Sequence, residues 1–201
     1  MVTYDKRYEY LKESVKYFNN QTYPNKELII VIDNNEEYYQ KIYEEYSSEN
    51  VFVYNGTQKG IPNLRNITLE KSNGEYVIIW DDDDESRPKR LEIQMWPIIY
   101  FGYDASILNG FQIKRNNEIL FVSWKSAASG TLLFKKTNDI IYKNMTDDEI
   151  GDTSDAYVLN SIAKTQKIFY IKNNHELFVY NLHEENTSGI NKQDLFTYKY
   201  R

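Results

Sequence analysis

No cysteine occurs in the chain. Its absence excludes disulfides and thiolate metal sites and leaves the redox compartment open. No apolar run reaches the ~18 residues that a membrane-spanning helix requires, and no signal peptide is visible. A cytoplasmic location is therefore the expectation. Basic charge is in deficit, with 24 Lys and Arg against 30 Asp and Glu, a net charge of −6. That balance, with no basic patch, argues against nucleic-acid or anionic-membrane binding. Internal repeats and low-complexity linkers are missing too. Aromatic side chains are abundant at 15% of residues, 19 of them tyrosine, within an ordinary 41% hydrophobic content. A length of 201 residues with that apolar share fits one domain with a sizeable core.

The hydrophobic pattern alternates in type along the first half. "YEYLKESVKYFN" (8–19) places Tyr8, Leu11, Val15 and Phe18 at helical spacing, and Pro24 follows as a break. "ELIIVID" (27–33) is a β-branched run with the look of a strand buried on both faces. A helix pattern in "NNEEYYQKIYEEYSS" leads to the strand "VFVYN" (51–55), then to a loop entering a helix in "KGIPNLRNITLEKS". "GEYVIIW" (74–80) reads as another doubly buried strand. Strands alternating with helices imply βαβ units and a largely parallel sheet, whose ligands bind outside the carboxyl ends of the strands. In the second half "MWPIIYF", "ASILNGFQIK", "EILFVSW", "GTLLFKK", "KIFYIKN" and "ELFVYNLH" read as strands of a more mixed region, and "DAYVLNSIAK" as a helix.

Four consecutive aspartates, Asp81 to Asp84, close the strand pattern at 74–80. Such a run can be a solvated loop or a helix N-terminus, since "DESRPKRLEIQM" could be a helix whose first turn accepts acid. Its place at the carboxyl end of a buried strand points to a site instead. The most economical compensation for clustered carboxylates is Mn²⁺ or Mg²⁺, which takes one or two carboxylates and leaves positions for substrate phosphates. In extended chain alternate residues face one way, so Asp81 and Asp83 are expected to address one site together.

Two long blocks resemble the family 2 glycosyltransferases. "TYDKRYEYLKESVKYFNNQTYPNKELIIVIDNN" is similar to the family's opening, and "GIPNLRNITLEKSNGEYVIIWDDDDESRPKRLEIQ" to its next block. The anchors are Gly60, Arg65, Asn66, Gly74-Glu75-Tyr76, the acidic run, Pro88, Arg90-Leu91 and Gln94. "SGTLLFKK" and "LFVYNLHEENTS" are similar to later segments. The resemblance implies an α/β GT-A fold, Rossmann-like, with a mostly parallel sheet flanked by helices and a smaller mixed acceptor-side region. It implies a single domain over 1–201, with 1–100 binding the nucleotide sugar and 101–201 holding the acceptor and the catalytic base. The implied reaction is inverting transfer of a sugar from a nucleotide-diphosphate donor, a UDP-sugar by expectation, to a glycan or protein-linked hydroxyl.

Roles follow by position. Thr3, Tyr4 and Asp33 match positions that hold the nucleoside, with Asp33 facing the base. Arg65 lies near the nucleotide. Asp81 falls toward the ribose and the metal, Asp82 with the nucleotide contacts, Asp83 on the metal, and His183 beside metal or diphosphate. Each has a plainer use: Thr3 and Tyr4 can end a strand, Asp33 can make a turn, Arg65 can pair with Glu70 along a helix, and His183 can be a surface histidine. His175 lacks a comparable context and reads as structural. Trp96 and Trp124 could stack on sugar rings or belong to the core.

An inverting transfer needs a carboxylate to take the acceptor's proton. "DDEIGDTSDAYVLNSIAK" supplies it. Counting back from Val158 and Ile162 as buried helix positions makes Asp155 the expected base, with Ser154 where the family usually has Glu. Asp152 is the alternative in another loop register, and otherwise a helix cap. Few apolar residues precede Thr3, where the family has a longer buried strand, so an unusually short first strand or a fragment of a longer product is expected. This departure and the imperfect base motif leave a second reading, a degenerate domain that binds nucleotide sugar or glycan without turnover. A sugar-phosphate nucleotidyltransferase ranks low, because "MVTYDKRYEYL" carries no glycine.

Overall fold

The computed structural model describes residues 1–57, 60–116, 118–121, 129–143, 154–183 and 186. Three parallel strands form the first sheet, β1 (Val2–Thr3), β2 (Leu28–Ile32) and β3 (Val51–Asn55), in the order β1-β2-β3. Their register pairs Thr3 with Ile32 and Ile32 with Asn55, so the three carboxyl ends lie level along one edge. All five residues of β2 are buried, as its unbroken apolar run requires of a strand covered on both faces. On one side lie α1 (Tyr8–Asn19), burying Leu11, Val15 and Phe18, and α2 (Glu36–Tyr46), burying Tyr38 and Ile42. The Asn35 side chain caps α2 by accepting from the Tyr38 N–H at 3.0 Å. On the other side α3 (Ile61–Lys71) buries Leu64 against Ile29 and Val31.

The later strands form two further ladders. β4 (Tyr76–Ile78), β6 (Ala105–Leu108), β9 (Leu133–Lys135) and β10 (Ile168–Ile171) assemble as β10-β6-β9-β4. β5 (Glu85–Ser86), β7 (Gln112–Arg115), β8 (Glu118–Phe121) and β11 (Phe178–Asn181) assemble as β5-β11-β7-β8. Parallel pairing persists in β10 with β6 and in β11 with β7, and the remaining pairs are antiparallel. α5 (Ser154–Thr165) buries Val158 and Ile162 in the second core cluster with Ile107, Leu132 and Phe134.

Two elements differ from the sequence pattern. β4 is only three residues long, half-buried, and paired antiparallel with β9, so it is not a doubly covered member of the parallel ladder. Its apolar neighbours Ile79 and Trp80 are buried beyond the strand's end. "MWPIIYF" is helical rather than extended, as the last part of α4 (Arg90–Phe101). Leu91, Gln94 and Ile98 recur at i, i+3 and i+7 and face inward, and that helical stripe outweighs the β-branched and aromatic character of the segment. Gly102 ends α4 at φ 66°, donating its N–H to the Ile98 carbonyl. At the start of β2 and along the whole of β4, away from the level carboxyl edge of β1-β2-β3, lies a cavity of about 580 Å³ lined by Leu28, Ile29, Tyr76, Val77, Ile78 and Trp80.

Gly56 fixes how the chain leaves β3. Its N–H donates to the Ile32 carbonyl at 2.8 Å. A Cβ there would stand 2.8 Å from that same oxygen and closer still to Leu64 Cδ2. The oxygen is backbone and cannot swing away, so Gly56→Ala should destabilise by about 1–3 kcal/mol, as overpacking does. Urea unfolding measures this, and a loss indistinguishable from zero would contradict the close approach.

Candidate active site

The level carboxyl edge of β1-β2-β3 carries Thr3, Asp33 and Asn55 within a few residues of the strand ends, with Tyr38 above them in the first turn of α2. The backbone holds the corner tightly: the Asp33 N–H donates to the Thr3 carbonyl at 3.1 Å, and Asn34 takes φ 41°. Asp33 Oδ1 and Asn55 Oδ1 are shielded from solvent and have no hydrogen-bond partner among the described residues. The hydroxyls of Thr3 and Tyr38 also lack a well-formed hydrogen bond there. Buried polar atoms are normally satisfied, and leaving one unsatisfied costs about 1–3 kcal/mol. A cluster of them at a sheet's carboxyl edge has the character of a site built for a polar ligand.

The acidic run begins where Trp80 anchors the chain. The indole Nε1 donates to Ser14 Oγ at 2.9 Å, and Ser14 in turn donates to the Asp81 carbonyl at 3.0 Å. The run bends rather than extends. Exposure nonetheless alternates: Asp82 and Asp84 are buried, whereas Asp81 and Asp83 are half-buried. Partners divide the run differently. Arg65 of α3 donates through Nη2 to Asp81 at 2.8 Å and through Nη1 to Asp155, the second residue of α5. Its guanidinium also lies over the Tyr142 ring at 5.4 Å. Arg7, just ahead of α1, donates through Nε to Asp82 at 2.9 and 3.0 Å and through Nη2 to Asp83. His183, past β11, places Nε2 at 3.0 Å from Asp83 Oδ2. Asp84 accepts the Asn181 N–H at 3.0 Å, and the Asn181 side chain donates to the Asp83 carbonyl at 2.6 Å.

The candidate residues therefore fall into three places. Asp81, Arg65 and Asp155 form one group, across a sequence separation of 90 between Arg65 and Asp155. Tyr4, Asp82, Asp83 and His183 gather round Arg7 and form the second, Tyr4 Oη accepting from Arg7 Nη1 at 3.2 Å. Thr3 and Asp33 hold the sheet edge, and Asp33 makes no ion pair with Arg7 or Arg65, the cations that meet the run. Asp81 and Asp83 thus have separate partners, because the bend breaks the two-residue repeat of an extended strand. Arg65 does not pair with Glu70, which meets Lys71 instead. Asp152 and Trp124 lie outside the described residues. Trp96 is about half exposed on α4, packed edge-on to Phe101 at 4.7 Å. Arg7 is the principal residue that sequence reading passed over, along with Tyr142 and Asn181; no spacing pattern marks a cation whose partners lie 75 positions away.

No group of three or more metal-ligating side chains occurs among the described residues. Asp83 and His183 converge as a pair, one hard oxygen donor and one imidazole. Two protein ligands suit Mn²⁺ or Mg²⁺, which fill the rest of their shell with water and substrate phosphate. The donor set therefore fits such an ion only together with a phosphorylated ligand.

Burial sets the protonation balance behind this surface. Arg90, fully buried, donates to Ser86 Oγ, Gln94 Oε1 and the Ile79 carbonyl, and burial lowers its pKa to about 10. Burial raises Asp84 well above the ordinary carboxylate range, with Asp83 and Asp81 adding to the shift. Burial also raises Asp82 to about 6, against the opposing pull of Arg7. A carboxyl raised in the folded state binds more protons there than when unfolded, so its contribution to stability is greatest below pH ~4 and falls as pH rises through ~6. The loss is on the order of 3 kcal/mol at one 1.36 kcal/mol step per unit. Wild type should therefore lose stability relative to Asp82→Asn between about pH 4 and about pH 7. Urea unfolding at both pH values tests this, and a widening advantage for wild type would contradict the assignment.

Comparison with known proteins bears on the whole arrangement. A structure of S. aureus TarS superposes with a TM-score of 0.71 at 19% identity, covering 90% of this chain and 58% of that one. TarS in complex with UDP-GlcNAc gives 0.71 at 18% identity over 98% of this chain and 62% of that one. The shared architecture is the GT-A fold. An uncharacterised glycosyltransferase of Methanocaldococcus jannaschii is 38% identical over 98 residues, 47% of this chain and 34% of the relative. The cholesterol galactosyltransferase of Borreliella burgdorferi is 34% identical over 87 residues, 42% of this chain and 24% of the relative. The chain spans about a third or less of the length of the curated relatives it matches. The sequence profile described as glycosyl transferase family 2 matches residues 1–177, and the chain belongs to that family.

Proposed function

We propose that this chain carries the donor site and catalytic base of an inverting glycosyltransferase that uses a UDP-sugar with a divalent cation. The observation that carries the reading is the unsatisfied Asp33 Oδ1 at the carboxyl edge of the parallel sheet. A nucleobase N–H is the kind of donor such an atom lacks, and the fold's neighbours include TarS bound to UDP and to UDP-GlcNAc. Thr3 closes the same edge, Tyr4 follows it with its hydroxyl on Arg7, and Asp81 and Asp82 would face the ribose and diphosphate. Residues 1–100 supply these contacts, and the later half supplies His183 and the base, within one domain.

Asp83 and His183 would hold Mn²⁺ or Mg²⁺ together with diphosphate oxygens, and the ion would neutralise charge on the leaving nucleoside diphosphate. The protein's own part is positional. Arg65 takes Oδ1 of Asp155 and leaves Oδ2 to face the acceptor. The acceptor hydroxyl loses its proton to that oxygen as it attacks the anomeric carbon. The bond from that carbon to the diphosphate breaks, and inversion follows from the single displacement. The acceptor is a glycan or another hydroxyl compound. The similar proteins include the cholesterol galactosyltransferase and a glucosyl-dolichyl phosphate glucuronosyltransferase of Haloferax volcanii, which makes a lipid-linked hydroxyl one acceptor class to test.

The second reading, binding without turnover, draws on the same Arg65–Asp155 pair, because a carboxylate held by a guanidinium is a weaker base. The two separate in one experiment. Asp155→Asn should lower sugar transfer by about 10²–10⁴-fold while UDP affinity stays nearly unchanged. Asp152→Asn, a change that keeps capping ability, should leave both transfer and stability nearly unchanged. A reversed pattern would move the base to Asp152. UDP binding with no donor turnover in any preparation would favour the binding reading.

Calorimetry tests the donor site itself. UDP with Mn²⁺ should bind wild type, and Asp33→Ala should weaken that binding by about 1–3 kcal/mol, the scale of a buried hydrogen bond to a charged group. Absence of binding by UDP, GDP and TDP at millimolar levels would contradict the proposal.

A further inference from the structure

Arg7 has no role in the scheme above, yet it is one of the most enclosed cations of the site, its side chain 6% exposed. It lies between the faces of Tyr4 and Tyr10, at 5.2 and 5.1 Å from their centroids. Tyr10 also stacks on His183 at 5.0 Å. The guanidinium holds Asp82 through Nε and through Nη2 at 2.8 Å, and Nη2 also meets Asp83 Oδ2. That oxygen is the one His183 Nε2 approaches at 3.0 Å. Asp83 Oδ2 is thus shared by a resident cation and by the residue that would be its partner in a metal pair.

A divalent cation bound to Asp83 lies about 2.0–2.2 Å from the carboxylate oxygen, inside the distance at which a guanidinium nitrogen is held. Two cations cannot occupy that oxygen together without strong mutual repulsion. Arg7 has a place to retreat to, since its contacts with Asp82 do not depend on Asp83. Resting on the reading of Asp83 and His183 as metal ligands, we propose that Arg7 is a resident counter-cation that competes with the divalent metal for Asp83. It holds metal affinity low until a nucleoside diphosphate supplies further oxygen ligands. Metal occupancy is thereby tied to donor binding, and the acidic run stays compensated in between.

The test is Mn²⁺ binding without nucleotide, read by calorimetry or by the electron paramagnetic resonance signal of free Mn²⁺. Arg7→Met keeps an apolar stem between the two tyrosines and removes the charge. It should bind Mn²⁺ about tenfold or more tightly than wild type, a conservative figure for deleting a unit charge a few ångströms from the ion. Asp83→Ala on that background should erase the gain. Arg7→Lys keeps the charge without the fork that spans both carboxylates, and it should show a smaller gain in the same direction. It also serves if Arg7→Met fails to fold. Unchanged or weaker Mn²⁺ binding in the folded variants overturns the proposal. If UDP fails to bring Mn²⁺ to wild type at all, the metal-assisted reading of the site fails instead.

Discussion

Four carboxylates on consecutive residues can follow a buried tryptophan only if cations and N–H donors from elsewhere meet them, and this requirement organises the centre of the molecule. Arg7 comes from the turn before α1, Arg65 from α3, and Asn181 from the end of β11. Arg7 and Asn181 are remote in sequence from the run, and Arg65 lies 16 positions before Asp81. Desolvating a carboxylate costs several kcal/mol, which pairing only partly offsets, so these elements must bring their partners to the acids once apolar packing has closed the core. Asp82 and Asp84, the most enclosed of the four, are also the two that burial pushes toward the protonated form.

The same compensation divides the site into functional parts. Arg65 ties Asp81 to Asp155 and so joins the loop after β4 to the start of α5. Arg7 and His183 meet on Asp83 and join the N-terminal turn to the segment after β11. Behind both, Arg90 is buried against the Trp80 and Phe178 rings and donates to the Ile79 carbonyl, which holds the approach to the run in place. Rigid positioning by paired charges is what a transfer reaction needs, because small displacements of a base or a phosphate contact cost large factors in rate.

Elements carried by a local period were legible in the sequence. α1, β2, β3 and α5 follow from apolar spacing alone, since each buries the stripe or run that the pattern marks. "MWPIIYF" was not legible, because its composition favours a strand while its inward residues recur at helical spacing only when Leu91 and Gln94 are counted with them. β4 misled for a related reason: the apolar run is real, but most of its burial comes from Ile79 and Trp80 beyond the ladder. The acidic run, Arg65 and His183 could be singled out from motif order. Arg7 and the pairings themselves could not, because ion pairs across 75 to 100 positions leave no periodic trace.

If donor and metal meet between the edge of β1-β2-β3 and the acidic run, a crystal structure with UDP and Mn²⁺ will show the uracil beside Asp33, the ion on Asp83 and Arg7 withdrawn onto Asp82. A diphosphate bound in the cavity between β2 and β4, or Mn²⁺ bound away from Asp83, would contradict this arrangement.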